Sequence, residues 1–230
     1  MKKIIYIIFA IAFLPAFSQA PRGFYATAGL TQTSLKSDDL LSDPGIGFKT
    51  GIIGSWGYHE TYNFQLEFLY NQKSFDLKSV EGDYQTVNSV KFNSEAIDFG
   101  FYFNYYILKP EEDAFFIGPQ LGFTTSFSGE FIPAGNGETY NNRYLPYLID
   151  DNSFRNMSPI SLDAGFGLTG GYNDFRFDLR YTMGLSNRLE SVETNSRDDS
   201  NLYTGPILEG KLNTISFSLS YLFWKKNNKR

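Results

Sequence analysis

The chain has no cysteine and a single histidine. The first absence removes disulfides and thiolate metal sites, so the fold is held without covalent staples. The second leaves one imidazole, His59, for any general-base chemistry in 230 residues. Beyond the N-terminus there is also no run of the ~20 apolar residues that a membrane helix needs. The longest candidate, FGFYFNYYI at 99–107, is half that length and contains Asn104. A basic balance is missing too. The formal net charge is −5, and loss of Lys2 and Lys3 with the leader described next takes it to −7. A chain of that sign is not built to neutralise phosphates, which argues against nucleic acid as a partner.

What is present begins with MKKIIYIIFAIAFLPAFSQA: two lysines, an apolar run over 4–14, then Pro15 and small residues. That is the pattern of a secretory signal peptide. Eleven residues at ~1.5 Å each are too short to stay as a membrane anchor. Cleavage after Ser18 leaves Ala16-Phe17-Ser18 as small-x-small, whereas cleavage after Ala20 places Pro21 just past the cut. The expected organisation is therefore a removed leader over 1–18 and one domain over 19–230.

Aromatic residues make up 18% of the chain, more than a soluble core requires, and rings are favoured at membrane interfaces. Their spacing is informative. In YNFQLEFLYNQK, residues 62–73, apolar side chains at Tyr62, Phe64, Leu66, Phe68 and Tyr70 alternate with Asn63, Gln65, Glu67, Asn71 and Lys73. A period of two is a strand with one apolar face. Eight such segments are predicted, at 23–34, 45–58, 62–75, 92–107, 114–128, 158–172, 175–186 and 211–224. Their connections alternate strictly between long (35–44, 76–91, 129–157, 187–210) and short (59–61, 108–113, 173–174). Long surface loops opposite tight periplasmic turns are the signature of an up-and-down barrel in an outer membrane. The fold class expected is all-β, an eight-stranded antiparallel up-and-down transmembrane β-barrel.

In that fold the apolar faces meet lipid. They are Ile46/Phe48/Ile52/Trp56/Tyr58, Ile97/Phe99/Phe101/Phe103/Tyr105, Phe175/Phe177/Leu179/Tyr181/Met183 and Ile215/Phe217/Leu219/Tyr221/Phe223. Rings next to the short turns, among them Trp56, Tyr62, Tyr105, Phe115, Tyr172, Phe175 and Phe223, form a periplasmic girdle. The lumen then receives Lys49, Glu67, Asp98, Asp163, Arg176, Asp178 and Arg180 as structural ion pairs, because a packed interior must satisfy its polar groups internally. Residue counts from the turns place Glu67 level with Arg180, and Lys49 level with Asp98 and Asp163. Two layers are expected: Glu67 with Arg180, and Lys49 with Asp98 or Asp163. Gly165, Gly167 and Gly171 fall on the lumen side, making room for Arg176 and Arg180.

FRFDLRYTMGLSN at 175–187 and NTISFSLSYLF at 213–223 resemble the PorT-like outer-membrane β-barrel family of the Bacteroidetes, most tellingly in Asp178-Leu179-Arg180-Tyr181 leading to Gly184-Leu185-Ser186-Asn187. The resemblance implies an OmpX-like eight-stranded barrel and no particular reaction. It also implies that Tyr221-Leu222-Phe223 is an ending read by the barrel-assembly machinery. The tail at 225–230 reads as a solvated end near anionic headgroups.

Two rival functions are weighed. A lipid-modifying enzyme needs a nucleophile and a base near the outer rim, whereas His59 sits in a short periplasmic turn with no evident serine partner. A narrow pore or transport barrel is disfavoured because side chains fill an eight-stranded interior. The acidic tracts Asp150-Asp151-Asn152 and Asp198-Asp199-Ser200-Asn201 lack EF-hand spacing and read as solvated loops. Gly135-Asn136-Gly137 is turn chemistry rather than a phosphate cradle. No cofactor and no metal is expected. What remains is a non-enzymatic structural or surface-binding role exercised through the extracellular loops. Tyr140, Tyr144, Tyr147 and Phe154 in the longest loop are candidate contacts, or packing on the barrel rim. Expected partners are outer-membrane lipid and lipopolysaccharide, with the assembly machinery during biogenesis.

Overall fold

The computed structural model describes residues 22–57, 61–80, 87–107, 115–134, 149, 151–192, 195–198, 201–204 and 208–225. Eight long strands run in sequence: β1 (Gly23–Lys36), β2 (Ser42–Trp56), β3 (Tyr62–Val80), β4 (Val87–Tyr105), β5 (Phe115–Ser128), β6 (Ile160–Tyr172), β7 (Phe175–Gly184) and β8 (Lys211–Lys225). Each pairs antiparallel with the next, and β8 returns to β1 from Lys36↔Lys211 down to Gly23↔Lys225. The ladder therefore closes into an eight-stranded up-and-down barrel without free long edges. Outside it lie the two-residue strand Ile132–Pro133 against β4, a small hairpin of Asn195–Asp198 with Asn201–Thr204, and a 3-10 turn at Asp151–Asn156.

Local chemistry explains the corners. The β6–β7 connection is the two residues 173–174, and Asn173 takes φ 53°, a left-handed conformation that asparagine tolerates. Proline cannot donate to a ladder, and the two prolines of the long strands sit where pairing with one neighbour lapses. Pro44 lies at the β2–β3 register shift, and Pro119 lies one residue beyond Gln120↔Asn104, the last β4–β5 pair.

The exterior is apolar in a belt. Phe217, Leu219, Tyr221 and Phe223 on β8 are each about half exposed, as are Phe99 and Phe101 on β4. Nine residues, 215–223, carry this face on β8, which matches the 9–11 residues a tilted transmembrane strand needs. A patch of this extent would aggregate in water, and hydrocarbon is the solvent that accommodates it. Trp56, Tyr105, Phe115, Tyr172, Phe175 and Phe223 all point outward at the short-turn end, where Phe24 and Trp224 join them with ring centroids 5.5 Å apart. Tyr58 lies outside the described residues, as do residues 1–18.

One connection differs from its sequence reading. Residues 76–91 are largely not loop: β3 and β4 are 19 residues each and stay paired to Val80↔Val87. Above the membrane belt the alternation inverts. Phe75, Leu77 and Phe92 point inward and are fully buried, while Lys78 and Lys91 face water. An expectation of apolar residues outside ends the strand at 75 for that reason.

Candidate functional site in the barrel lumen

The inward face of β3 is a vertical section through the lumen: Asn63, Gln65, Glu67, Leu69, Asn71, Lys73, Phe75, Leu77. It passes from amides through charge to an apolar cap, and the neighbouring strands complete each level.

The lowest level is closed by Tyr106 against Phe116, edge to face at 5.2 Å, and above them stands a network of primary amides. Asn104 Nδ2 donates to Asn63 Oδ1 (2.7 Å) and Gln65 Oε1 (3.2 Å), and Gln120 Nε2 donates to Asn104 Oδ1 (2.7 Å). Arg176 lies in this layer, donating to Asp178 Oδ1 at 3.1 Å and to Gln65 Oε1. Arg176 and Asp178 are each 1% exposed, so this is a charge pair within a lattice of amide dipoles.

The next level holds Glu67 and Arg180, which the sequence places at one height. Arg180 Nη1 donates to Glu67 Oε2 at 2.7 Å and Nη2 to Oε1 at 2.8 Å, a bidentate fork. Its Nε donates to Gln120 Oε1 at 2.8 Å, and its guanidinium lies 3.5 Å from the centre of the Tyr102 ring. Tyr102 in turn shares a 2.6 Å hydrogen bond with Thr124. Gly167 lies against Arg180 as expected, a Cβ there falling 2.9 Å from Arg180 Cα, while Gly165 and Gly171 serve other neighbours. A Cβ at Gly165 would lie 2.5 Å from Tyr102 Oη, and one at Gly171 would lie 2.5 Å from the Phe116 ring. They make room for aromatic rings, and Arg180 benefits through Tyr102.

The upper charged level departs from the expected pairing. Lys49 reaches neither Asp98 nor Asp163. Its Nζ donates to Ser216 Oγ at 3.0 Å, toward β8. Asp98 is taken by β3, the strand next to its own. Asn71 Nδ2 donates to Asp98 Oδ2 (2.8 Å), Lys73 Nζ sits 3.5 Å from Oδ1, and Ser126 also donates to Oδ1. Height along a strand is half of a position, and the missing half is azimuth around the barrel. Asp163 receives a 3.5 Å contact from Ser161 Oγ, and its Oδ1 has no hydrogen-bond donor among the described residues. A cavity of about 30 Å³ lies in this level among Thr31, Lys49, Asn71, Asp98, Asp163 and Thr214.

Above the charges the loops fold inward as a cap. Leu40, Phe131, Ile149, Phe154, Met157, Leu189, Val192 and Leu208 pack on Phe75, Leu77 and Phe92. Phe154, a candidate surface contact, is fully buried here, with its ring 5.1 Å from Phe92. It packs on the rim rather than presenting itself to a partner. Tyr140, Tyr144 and Tyr147 lie outside the described residues, as do Gly135-Asn136-Gly137, His59 and Asp150. Of the two acidic tracts, Asp151-Asn152 opens the 3-10 turn, while Asp199 and Ser200 are outside the described residues.

The run Asp178-Leu179-Arg180-Tyr181 … Ser186-Asn187 has a local structural account. Asp178 and Arg180 build the two ion-pair levels, and Leu179 is half exposed on the lipid face. Ser186 Oγ accepts from the Leu162 amide at 2.9 Å. Asn187 clamps the cap to the start of β8: its Oδ1 accepts from Leu189 N (3.0 Å) and Gly210 N (2.9 Å), and its Nδ2 donates to Leu208 O (2.9 Å). Sequence reasoning missed Lys73, which shares the parity of Glu67 and was there to be found. It missed Arg188 too, which stands in a connection without periodicity.

Residues 17–190 match the family model of an outer membrane protein beta-barrel domain. No curated protein sequence matches the chain. Among solved structures it is similar to the outer membrane protein OprG from Pseudomonas aeruginosa, with 11% identity and a TM-score of 0.45 over 90% of this chain and 100% of that one. It is similar to Neisserial surface protein A, with 14% identity and a TM-score of 0.40 over 89% and 100%. It is also similar to the outer membrane enzyme PagL, with 10% identity and a TM-score of 0.39 over 85% and 99%.

Proposed function

Because the chain belongs to the outer membrane protein beta-barrel domain family, and so to the outer membrane, we propose that it is a non-enzymatic structural or surface-binding protein acting through its extracellular loops. The filled lumen carries this reading. Amide, ion-pair and apolar levels succeed one another from the short turns to the cap, and the upper charged level has a cavity of only about 30 Å³, room for a water or two. An interior so occupied supports a scaffold rather than a conduit. The PorT-like resemblance, carried by 175–187 and 213–223, fits a scaffold as well, since its Asp178, Arg180, Ser186 and Asn187 hold the barrel and cap together. On this proposal residues 1–18 are a cleaved export signal. The belt binds outer-membrane lipid, the rim meets lipopolysaccharide, and the assembly machinery reads Tyr221-Leu222-Phe223.

The test is made on intact cells. Protease added outside is expected to cut within 129–157 and 187–210 and to leave a fragment that still shows heat-modifiable gel mobility; cuts confined to 173–174 would invert the topology. Overproduction is expected to leave the acyl-chain pattern of lipopolysaccharide unchanged, and the purified barrel in planar bilayers to show no steady conductance. An altered acyl pattern would favour the lipid-modifying enzyme, and steady conductance the pore.

A further inference from the structure

Three arginines are buried among the described residues, and the fold does not treat them alike. Arg176 donates to Asp178, and Arg180 forks onto Glu67. Arg188 is as deeply buried, at 1% exposed, yet its Nε, Nη1 and Nη2 have no acceptor among the described residues, and none of the three is open to water. Asp163 and then Asp98 act on it through their fields. The guanidinium faces the Phe131 ring of the cap, 5.5 Å from its centre, which is a weak substitute for a hydrogen-bond partner. A guanidinium keeps its charge and carries five N–H donors, so a place with neither acceptor nor solvent is among the costlier ones a fold can give it.

The backbone keeps Arg188 from escaping alone. Its N–H donates to Gly210 O at 2.7 Å, and its carbonyl accepts from Ser158 N at 3.0 Å. Asn187 beside it accepts from Leu189 N and Gly210 N. The guanidinium can therefore reach water only if its cover moves. Part of that cover is fixed: Ile132–Pro133 pairs with β4, and Ala134 N donates to Lys91 O at 2.7 Å. The 3-10 turn Asp151–Asn156 is packed by apolar side chains. Phe154 lies on Phe92, and Ile149 and Met157 on either side of the turn belong to the same buried cluster. Its contact between Arg155 and Glu130 is exposed and 4.0 Å long, so it contributes little. Ser158, two residues beyond the turn, is the donor to Arg188.

We propose that the cap is a lid poised near its opening: apolar packing of the turn shuts it, the stranded charge of Arg188 works against closure, and lifting of the turn hydrates the guanidinium. The two states then differ by opposed contributions, burial of the rings at Phe92, Phe131 and Phe154 against desolvation of one cation. Opening uncovers the upper charged level, with Lys49, Asp98 and Asp163, while the ion pairs of the lower levels stay in place. This goes beyond the reading of the loops as a binding surface, since it concerns how they move and not what they bind.

The test uses the full barrel refolded in detergent micelles and exploits the absence of cysteine from the chain. Met157→Cys places a thiol in the cap, where the native side chain is 4% exposed, and Ser218→Cys places one in the lumen, at 2%. A buried thiol meets a maleimide only in an opened form. Met157→Cys is expected to label at least about tenfold faster than Ser218→Cys, as sub-global opening implies. Equal rates would mean that the cap opens only with the barrel, and that there is no lid. Adding Arg188→Met should slow labelling at position 157 about tenfold, because an apolar chain in place of a stranded charge stabilises the closed form. Arg188→Lys, which keeps a charge, should slow it far less. Faster labelling with Arg188→Met, equal slowing with Arg188→Lys, or failure of Arg188→Met to fold would each show that the guanidinium is not what opposes closure, and would overturn the proposal.

Discussion

Replacing Arg180 by methionine keeps an unbranched apolar stem and removes everything polar that the side chain does. The Glu67 carboxylate would lose both bonds of the fork, at 2.7 and 2.8 Å, and stay almost wholly buried. Gln120 would lose its donor and Tyr102 the cation over its ring. Removing one partner of a buried pair costs about 3–5 kcal/mol, most of it the desolvation of the charge left behind. Glu67→Leu should cost a similar ~3–5 kcal/mol by leaving Arg180 stranded. The double substitution leaves no stranded charge and should cost only about 1–3 kcal/mol, far below the sum of the singles. Urea titration of protein folded into lipid vesicles measures all three, read by heat-modifiable mobility and by the fluorescence of Trp56 and Trp224. Both indoles lie on the outer face at the short-turn end and change solvent on unfolding. The midpoint should move with the slope unchanged. If Arg180→Met costs under about 1 kcal/mol, or the single costs simply add, the pair is not a desolvated one and the lumen is wet at this level.

Three further outcomes are expected. Gly165→Ala places a Cβ 2.5 Å from Tyr102 Oη and should cost about 1–3 kcal/mol by the same titration, with the Tyr102–Thr124 hydrogen bond lost. Phe217→Arg puts a charge in the middle of the outer belt of β8 and should cost about 2–4 kcal/mol in vesicles, whereas Leu41→Arg, on an exposed side chain above the belt, should be nearly neutral. Phe92→Ala opens a hole in the cap between Phe75 and Phe154, so protease should cut 129–157 faster while the barrel keeps its mobility shift; an unchanged cutting rate would show that the cap does not hold that loop.

The barrel was legible in the sequence because two solvents act on it at once. Lipid outside and a polar lumen inside force a period of two on every strand, and 62–75 shows it residue by residue. Where one solvent changes, the pattern changes: above the belt Phe75, Leu77 and Phe92 turn inward, and the strands there read as loop. Within the lumen, counting from the turns gave Glu67 and Arg180 a common height, and they touch. The same counting linked Lys49 to Asp98, but Lys73 stands on the strand adjacent to Asp98 while Lys49 reaches Ser216 instead. One-dimensional distance contains no azimuth. Arg188 had no periodic neighbour to reveal it, and its burial is set by Phe131 and the rest of a cap assembled from separate loops.

The seam between β1 and β8 bears on the order in which the molecule is made. Thr27 and Ser220, whose hydroxyls meet at 2.9 Å, are 193 residues apart in the chain. At ~5–20 residues per second of synthesis, β1 is made roughly 10–40 seconds before its last partner exists. Through that interval its edge is unpaired, the hazard that closed barrels otherwise abolish. The middle of the seam's inner face, between Tyr25–Leu222 at one end and Leu35–Leu212 at the other, suits a late arrival. Thr27, Thr31 and Thr33 face Thr214, Ser216, Ser218 and Ser220, short hydroxyl side chains that can come together without threading a bulky group past a finished interior. The expectation is that closure here is the slow step of assembly. Bulk placed on the seam, as in Ser218→Phe, should slow the appearance of the heat-modifiable band in vesicles more than equal bulk at Ser161, away from the seam; equal delays would mean that the ends meet early.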